Sequence, residues 1–535
     1  MIASEENNNR IFTGISASIE GEHRSHPHQR GPLYGIFSYG EVNLAATQRN
    51  RQKYLWWTYP QERAAQNDAS SDRRLDGRVF GGAGVSVRGQ TSRARAAMLL
   101  MVMVGGLLLS SALQAKEANR AATTVDPQLV PCGNFSTVLM RSNDLQYLQK
   151  PETRLAVMQA RWESLKTTAA GYERTRISLV GFDGEKLVAS ARTDDVGLDY
   201  FVPRVSTVAR VSLATAVDIF LISIVAVGFA SGIMGLLLTV KTFWGRLMGI
   251  VELILLALYT LLIGDVYVVQ SSIVVGVVPW ALYAASKRIH PLLLVAGMGP
   301  LGLILGLANV VRSQAGTVVF LFVFVLAMFS PGLTRRSRVM GLMALTIGLM
   351  IPQAGIRRTL NVRDRYLGSV QADYVRPPGQ HPLWHSVYIG MGFLSNPYVP
   401  GGYCDEVAIQ AVRAVDPQAT FLSPEYDHAL KQRLLELFRQ RPTLVVLNVL
   451  AKVGILEALA LVAANVGLWA AFRHRGSRWI VTAFAVAILF GFVPGILVIP
   501  VPRYVLGALS LLVLFGVMSV DDYCSARLTA RTSAG

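Results

Sequence analysis

This sequence predicts an all-α polytopic membrane protein, and three observations support that class. The 535 residues are 52% hydrophobic and only 16% charged, against about 25% charge in ordinary soluble domains. The mean hydropathy is +0.39. The apolar residues fall in blocks of roughly 18, long enough to cross a bilayer as a helix, rather than at the period of a half-buried helix or strand. The net charge of +17 requires no nucleic acid, because cytoplasmic ends facing anionic lipid carry the same bias. Three cysteines make neither a disulfide scaffold nor a zinc module.

Taken in order, residues 1–95 are polar and Arg-rich, as in Asp72-Arg73-Arg74 and Arg93-Ala94-Arg95. They hold no apolar period that would build a core, so a disordered cytoplasmic extension is expected. A start at Met98 and a signal peptide over Ala96–Ala115 are the alternatives. Ten apolar blocks follow, at about 96–115, 211–239, 247–264, 267–286, 291–308, 316–331, 338–352, 443–471, 478–499 and 503–520. The block at 338–352 is short, and 247–286 forms a tight hairpin, either spanning or partly re-entrant. The chain thus divides into a membrane core over 96–352 with an outer segment 116–210, an outer domain over 353–442, C-terminal membrane helices over 443–520 and a tail, 521–535.

Orientation follows from the short loops. Lys241 with Arg246, Lys287 with Arg288, Arg335-Arg336-Ser337-Arg338, and Arg473-His474-Arg475 with Arg478 share one side. The turns at Gly264-Asp265, Arg312 and Arg503 on the other side are poor in positive charge. The positive-inside rule then places both termini in the cytoplasm, and the plasma membrane is the expected location. Two extracytoplasmic segments result, both expected to be rich in helix. Leu155, Met158, Trp162 and Leu165 recur at helical spacing in the first. Tyr426, Leu430, Leu434 and Leu437 do so in the second, behind Ser423-Pro424, a cap followed by a first-turn proline. Both helices suit either the membrane surface or packing on neighbouring spans. Cys132 and Cys404 fall outside, as a disulfide or as two free thiols, and Cys524 inside.

No Gly-x-x-x-x-Gly-Lys-Ser/Thr loop is present, which argues against an ATP-driven pump, and Gly81-Gly82-Ala83-Gly84 follows no strand and earns no phosphate role. No His-Glu-x-x-His helix and no Cys-x-x-Cys pair is present either. Topology instead gathers polar residues at one outer face. Asp194-Asp195 precede the second block, and Asp265, Tyr267 and Gln270 occupy one outer turn. Asn309 and Arg312 occupy the next; His381, Trp384, His385, Asn396 and Asp405-Glu406 lie in the large loop. Carboxylates there suit proton abstraction from an acceptor hydroxyl or a metal contact. Arg312 and Arg204 suit a phosphate, whose oxygens match a guanidinium. The bland alternatives are helix caps for Asp194, Asp195 and Asp265, and core packing for the histidines. His381 and His385 have ligand spacing only on a helix, which Pro382 allows only at its start, so no metal ligand is assigned. A divalent cation is left open as a cofactor.

Three segments carry a resemblance: Asp194-Asp195-Val-Gly ahead of a span, Gly264-Asp265-Val-Tyr-Val-Val-Gln270, and Asn309-Val-Val-Arg312-Ser-Gln-Ala-Gly316. With His381-Pro-Leu-Trp-His385-Ser-Val-Tyr-Ile-Gly390, they make residues 96–520 resemble bacterial relatives of the GT-C glycosyltransferases. The resemblance implies a GT-C-like fold and a polyprenyl-phosphate sugar donor in the bilayer. It implies that Asp194 or Asp195 is the catalytic base and Asp265 the second-loop acid. Arg312 and Arg204 then hold the lipid phosphate, and His385, Trp384 and Asn396 line the sugar or acceptor pocket. The acceptor is not named by this reading. A transporter or lipid flippase without covalent chemistry is the competing class, with charge in the spans at Asp218 and Glu457. A non-catalytic scaffold is a third.

Overall fold

The computed structural model describes residues 159–190, 195–287, 291–331, 333–377, 383–400, 405–421, 423–474 and 476–534. The expected extension 1–95, the block 96–115, Leu155, Met158, Cys132, Cys404, Asp194 and His381 lie outside them. The described residues begin with α1 (Gln159–Thr175), a hairpin of β1 (Val180–Phe182) and β2 (Leu187–Ala189), and α2 (Val196–Ala209). Next come α3 (Leu213–Thr239), α4 (Phe243–Ile263), α5 (Val268–Ser286), α6 (Pro291–Val311), α7 (Ala315–Phe329) and α8 (Arg335–Val370). Three short helices, α9 (Leu383–Met391), α10 (Asp405–Arg413) and α11 (Pro424–Gln440), precede α12 (Pro442–Arg473), α13 (Arg478–Leu497) and α14 (Leu506–Ala534).

Among the described residues, eight helices are long and apolar enough to cross a membrane: α3, α4, α5, α6, α8, α12, α13 and the stretch Pro502–Ser533, which covers most of α14. Helix α7 is apolar but has only 15 residues. Nine of the ten apolar blocks therefore coincide with helices, and the described protein is an all-α polytopic membrane protein apart from one hairpin. Polar caps mark where the spans begin. Ser212 Oγ accepts from the Thr215 amide, Thr242 Oγ1 from Gly245 and Thr334 Oγ1 from Ser337, satisfying donors a helix start leaves over.

Large side chains such as Phe322, Phe484 and Leu253 fill the core between the spans, and small residues bring several pairs of spans into close contact. On α3, a Cβ at Gly228 or Gly232 would strike Ser272 or Val275 of α5. On α6, Gly302 and Gly306 lie against the Leu345 and Leu349 carbonyls of α8. Gly467 of α12 crosses Gly516 of α14 backbone to backbone. Lipid tails are as apolar as leucine, so close backbone approach, not burial of bulk, holds such helices together. At one end of the bundle Asp521 accepts from the Lys241 and Thr242 amides, pinning the α3–α4 turn to α14.

Two features depart from the sequence reading. Helix α8 does not stop near 352 but runs unbroken through Pro352 to Val370. There Arg363 donates to the Ser190 carbonyl at 2.7 Å and Gln371 to that of Leu187 at 2.6 Å, docking the hairpin on the helix. The second feature is α11. Its apolar stripe, Tyr426, Leu430, Leu434 and Leu437, is buried against α9 and α10. The stripe thus packs chiefly on two short helices rather than on the neighbouring spans the sequence suggested. Ser423 caps α11 by accepting from the Tyr426 amide.

Candidate functional site

The turns at one end of the bundle close around a cavity of about 540 Å³. Its wall is assembled from sequence-distant pieces: Asp195 and Asp199 at the start of α2, Tyr267 and Gln270 at the start of α5, Arg312-Ser313-Gln314 between α6 and α7, Ser386 of α9, Asp405 of α10, and Tyr504 before α14. Antiparallel spans return each of these turns to the same end, which is how residues 117 apart come to touch.

Arg312 is the centre. Its Nη1 lies 2.7 Å from Asp195 Oδ2, with the carboxylate almost fully buried. The other Asp195 oxygen accepts from the Ser313 amide at 3.1 Å. The guanidinium sits 4.2 Å from the centre of the Tyr267 ring, and Tyr267 meets Tyr504 edge to face at 5.2 Å. Burial works against the charge, but the Asp195 carboxylate outweighs it and holds the Arg312 pKa above its ordinary value. Burial likewise pushes the Tyr267 phenol well above its usual pKa. One buried donor of the guanidinium, Nε, has no hydrogen-bond partner. Two non-glycine residues on the wall, Asp195 (φ 58°) and Gln314 (φ 71°), are held in the left-handed region, a conformation that costs about 1–3 kcal/mol and clusters at ligand sites.

Behind Asp405, a lining residue, runs a hydrogen-bonded chain. His385 is fully buried; its Nδ1 lies 2.8 Å from the Tyr426 hydroxyl and its Nε2 3.0 Å from Asp405 Oδ1. Burial, then the Asp405 charge, raise the Tyr426 pKa. Asp405, by contrast, is largely exposed and lines the cavity.

Of the residues expected at the site, Asp195, Tyr267, Gln270 and Arg312 line one cavity. Gln270 accepts from the Gly507 amide at 3.3 Å. Asp194 and His381 lie outside the described residues, and the remaining ones do not line it. Arg204 donates to Ser178 at 2.5 Å and covers the Tyr200 ring, away from the cavity. Asn309 braces the next helix by accepting from the Gly316 and Thr317 amides. Asp265 accepts from the adjacent Val266 amide. Asn396 spends its amide on the Met391 and Leu394 carbonyls and its oxygen on Tyr398 and Val399. Trp384 packs with the α11 core beneath Lys431, and His385 stands behind Asp405. Tyr504, Asp199 and Ser386 were not singled out from sequence. Asp199 is one helical turn beyond Asp195, a spacing that puts both on one face; Tyr504 had only its position in a turn to mark it.

Among the described residues, no group of three His, Cys, Asp or Glu side chains is arranged to hold a metal ion. The chain matches no family model, no curated protein and no solved structure.

Proposed function

We propose that this protein is an integral membrane glycosyltransferase that moves a sugar from a polyprenyl-phosphate donor to an acceptor on the extracytoplasmic face of the plasma membrane. The observation that carries the reading is a buried, aromatic-caged Arg312 sharing a cavity with Asp405 at the end of a membrane bundle. A lipid-borne donor enters from the bilayer and places its phosphate at the guanidinium. The acceptor oxygen bonds to the sugar's anomeric carbon as the bond from that carbon to the phosphate oxygen breaks. The acceptor proton passes to a carboxylate and the lipid phosphate leaves with its charge balanced by Arg312. Preorganised charge of this kind is worth most where water is scarce.

The roles differ from those the resemblance implies. Both oxygens of Asp195 are engaged by Arg312 and Ser313, so Asp195 serves as a positioning residue. Asp405 is the better proton acceptor, facing the cavity with His385 behind it. Asp265, Arg204 and Asn309 have no part in this scheme.

The test is release of polyprenyl phosphate by the full chain in nanodiscs, read by mass spectrometry over a panel of synthetic polyprenyl-phosphate pentoses and hexoses. Wild-type release from at least one donor is expected, with a loss of about 100-fold in Asp405→Asn and in Arg312→Lys. No release from any donor, or an undiminished rate in Asp405→Asn, overturns the reading. A second reading, transport or flipping of a lipid, draws on polar groups within the spans. Glu252 accepts from Asn465 at 2.7 Å across the α4–α12 contact, and Lys452 is fully buried. Flipping of a fluorescent lipid phosphate in proteoliposomes, abolished by Lys452→Met, would favour it.

A further inference from the structure

The other end of the bundle holds a second cavity, also about 540 Å³, between α5, α6 and α7. It lies within the size range of pockets that enclose a bound molecule, about 300–1,000 Å³. Its walls are almost wholly aliphatic, with Met298, Leu301, Val323 and Leu326 among them. Two of its lining residues, Trp280 and Leu293, are also exposed on the outside of the bundle. On a membrane span that outside is the bilayer, so the mouth opens on lipid tails. Gly297 lines the wall, and a Cβ placed there would meet no protein atom within 4 Å.

Lys287 and Ser330 are among its polar lining residues. The Lys287 ammonium lies 5.5 Å from the Tyr283 ring centre. Ser330 accepts through its carbonyl from Arg338 Nη2 at 2.7 Å, and the buried Nε of the same guanidinium has no hydrogen-bond partner. Lys287 caps the end of α5 and Arg338 lies in the first turn of α8. An aliphatic trough open to lipid, with two cations beside it, is complementary to an acyl chain carrying an anionic headgroup. A soluble peptide offers no such match, and a zwitterionic lipid leaves the two cations without net countercharge.

We infer that this cleft binds one anionic bilayer phospholipid, its acyl chain between α5, α6 and α7 and its phosphate at Lys287 and Arg338. The inference is independent of the chemistry proposed at the opposite end. It is tested with the full chain reconstituted in nanodiscs of equal phosphatidylglycerol and phosphatidylcholine, extracted into mild detergent and examined by native mass spectrometry. Wild type should retain one phosphatidylglycerol. Gly297→Phe fills the trough and should reduce retention about tenfold. Lys287→Gln and Arg338→Gln should each reduce the preference for the anionic lipid about fivefold. Gly299→Phe is the control for folding and added bulk: its Cβ also meets no protein atom, but it does not line the cleft. Retention should persist there. Equal retention of the two lipids by wild type, retention of neither, unchanged binding by Gly297→Phe, or equal loss in Gly299→Phe overturns the inference.

Discussion

The bundle and the three-helix layer of α9, α10 and α11 are built on different rules. In the bundle, large apolar side chains point outward, as Leu255 and Val462 do at 57% and 76% exposure, as well as inward, and glycines join leucines and phenylalanines at the contacts. In the layer, Tyr426, Leu430 and Leu434 are buried and Lys431, Arg433 and Arg439 face out. The difference is the solvent. Against water, burying bulk drives assembly; against lipid, only closer packing and polar pairing distinguish a protein neighbour from a tail.

Substitutions at matched positions can break this contrast, and the largest effect belongs to the bundle. Gly467→Leu forces a side chain into the Gly516 backbone, where no flexible neighbour can give way. We expect loss of the monodisperse peak in size-exclusion chromatography rather than a shifted melting point, since overpacking that the backbone must absorb exceeds the usual 1–3 kcal/mol or so. Next comes the layer. Leu430→Ala should destabilise by about 2–5 kcal/mol, the ordinary cost of a core cavity, read as a drop in melting temperature with the bundle still folded.

Lys452→Met sharpens the comparison from the other side. Its ammonium is fully buried within α12 with no hydrogen-bond partner. An apolar residue of similar length should raise stability by about 1–4 kcal/mol, seen as a higher melting temperature in the same detergent. A fall instead would mean the charge has a partner that the folded chain alone does not supply. The smallest effect should come from Leu255→Ala, a truncation as drastic as Leu430→Ala but facing lipid. Its melting temperature should move by no more than the equivalent of about 0.5 kcal/mol. A large drop there would mean that face is covered by another subunit.

Hydropathy made the membrane helices legible because a span is a one-dimensional signal: about twenty apolar residues declare themselves wherever they pack. The gathering of Asp195, Tyr267, Gln270 and Arg312 was legible too, since alternating spans return alternate turns to one end. Which side chains then face the cavity was not. Asn309 and Asn396 look like site residues, yet they turn inward to satisfy backbone amides and carbonyls, an accounting that depends on three-dimensional neighbours. The extension of α8 past 352 was hidden because its polar half, Arg357–Val370, offers no apolar block. The buried Arg363 it carries reads as surface charge until the hairpin is seen against it.

That long helix has a mechanical consequence. Its 36 residues make a lever about 54 Å long at ~1.5 Å per residue. One arm is seated against Gly302 and Gly306 in the bundle and the other is tied to the hairpin through Arg363 and Gln371. Pro352, where the backbone lacks a donor, is its softest point. Spans accommodate a thinner or thicker bilayer by tilting. A tilt of the seated arm is therefore carried to β1 and β2 as a sweep, with Pro352 setting how much of it arrives.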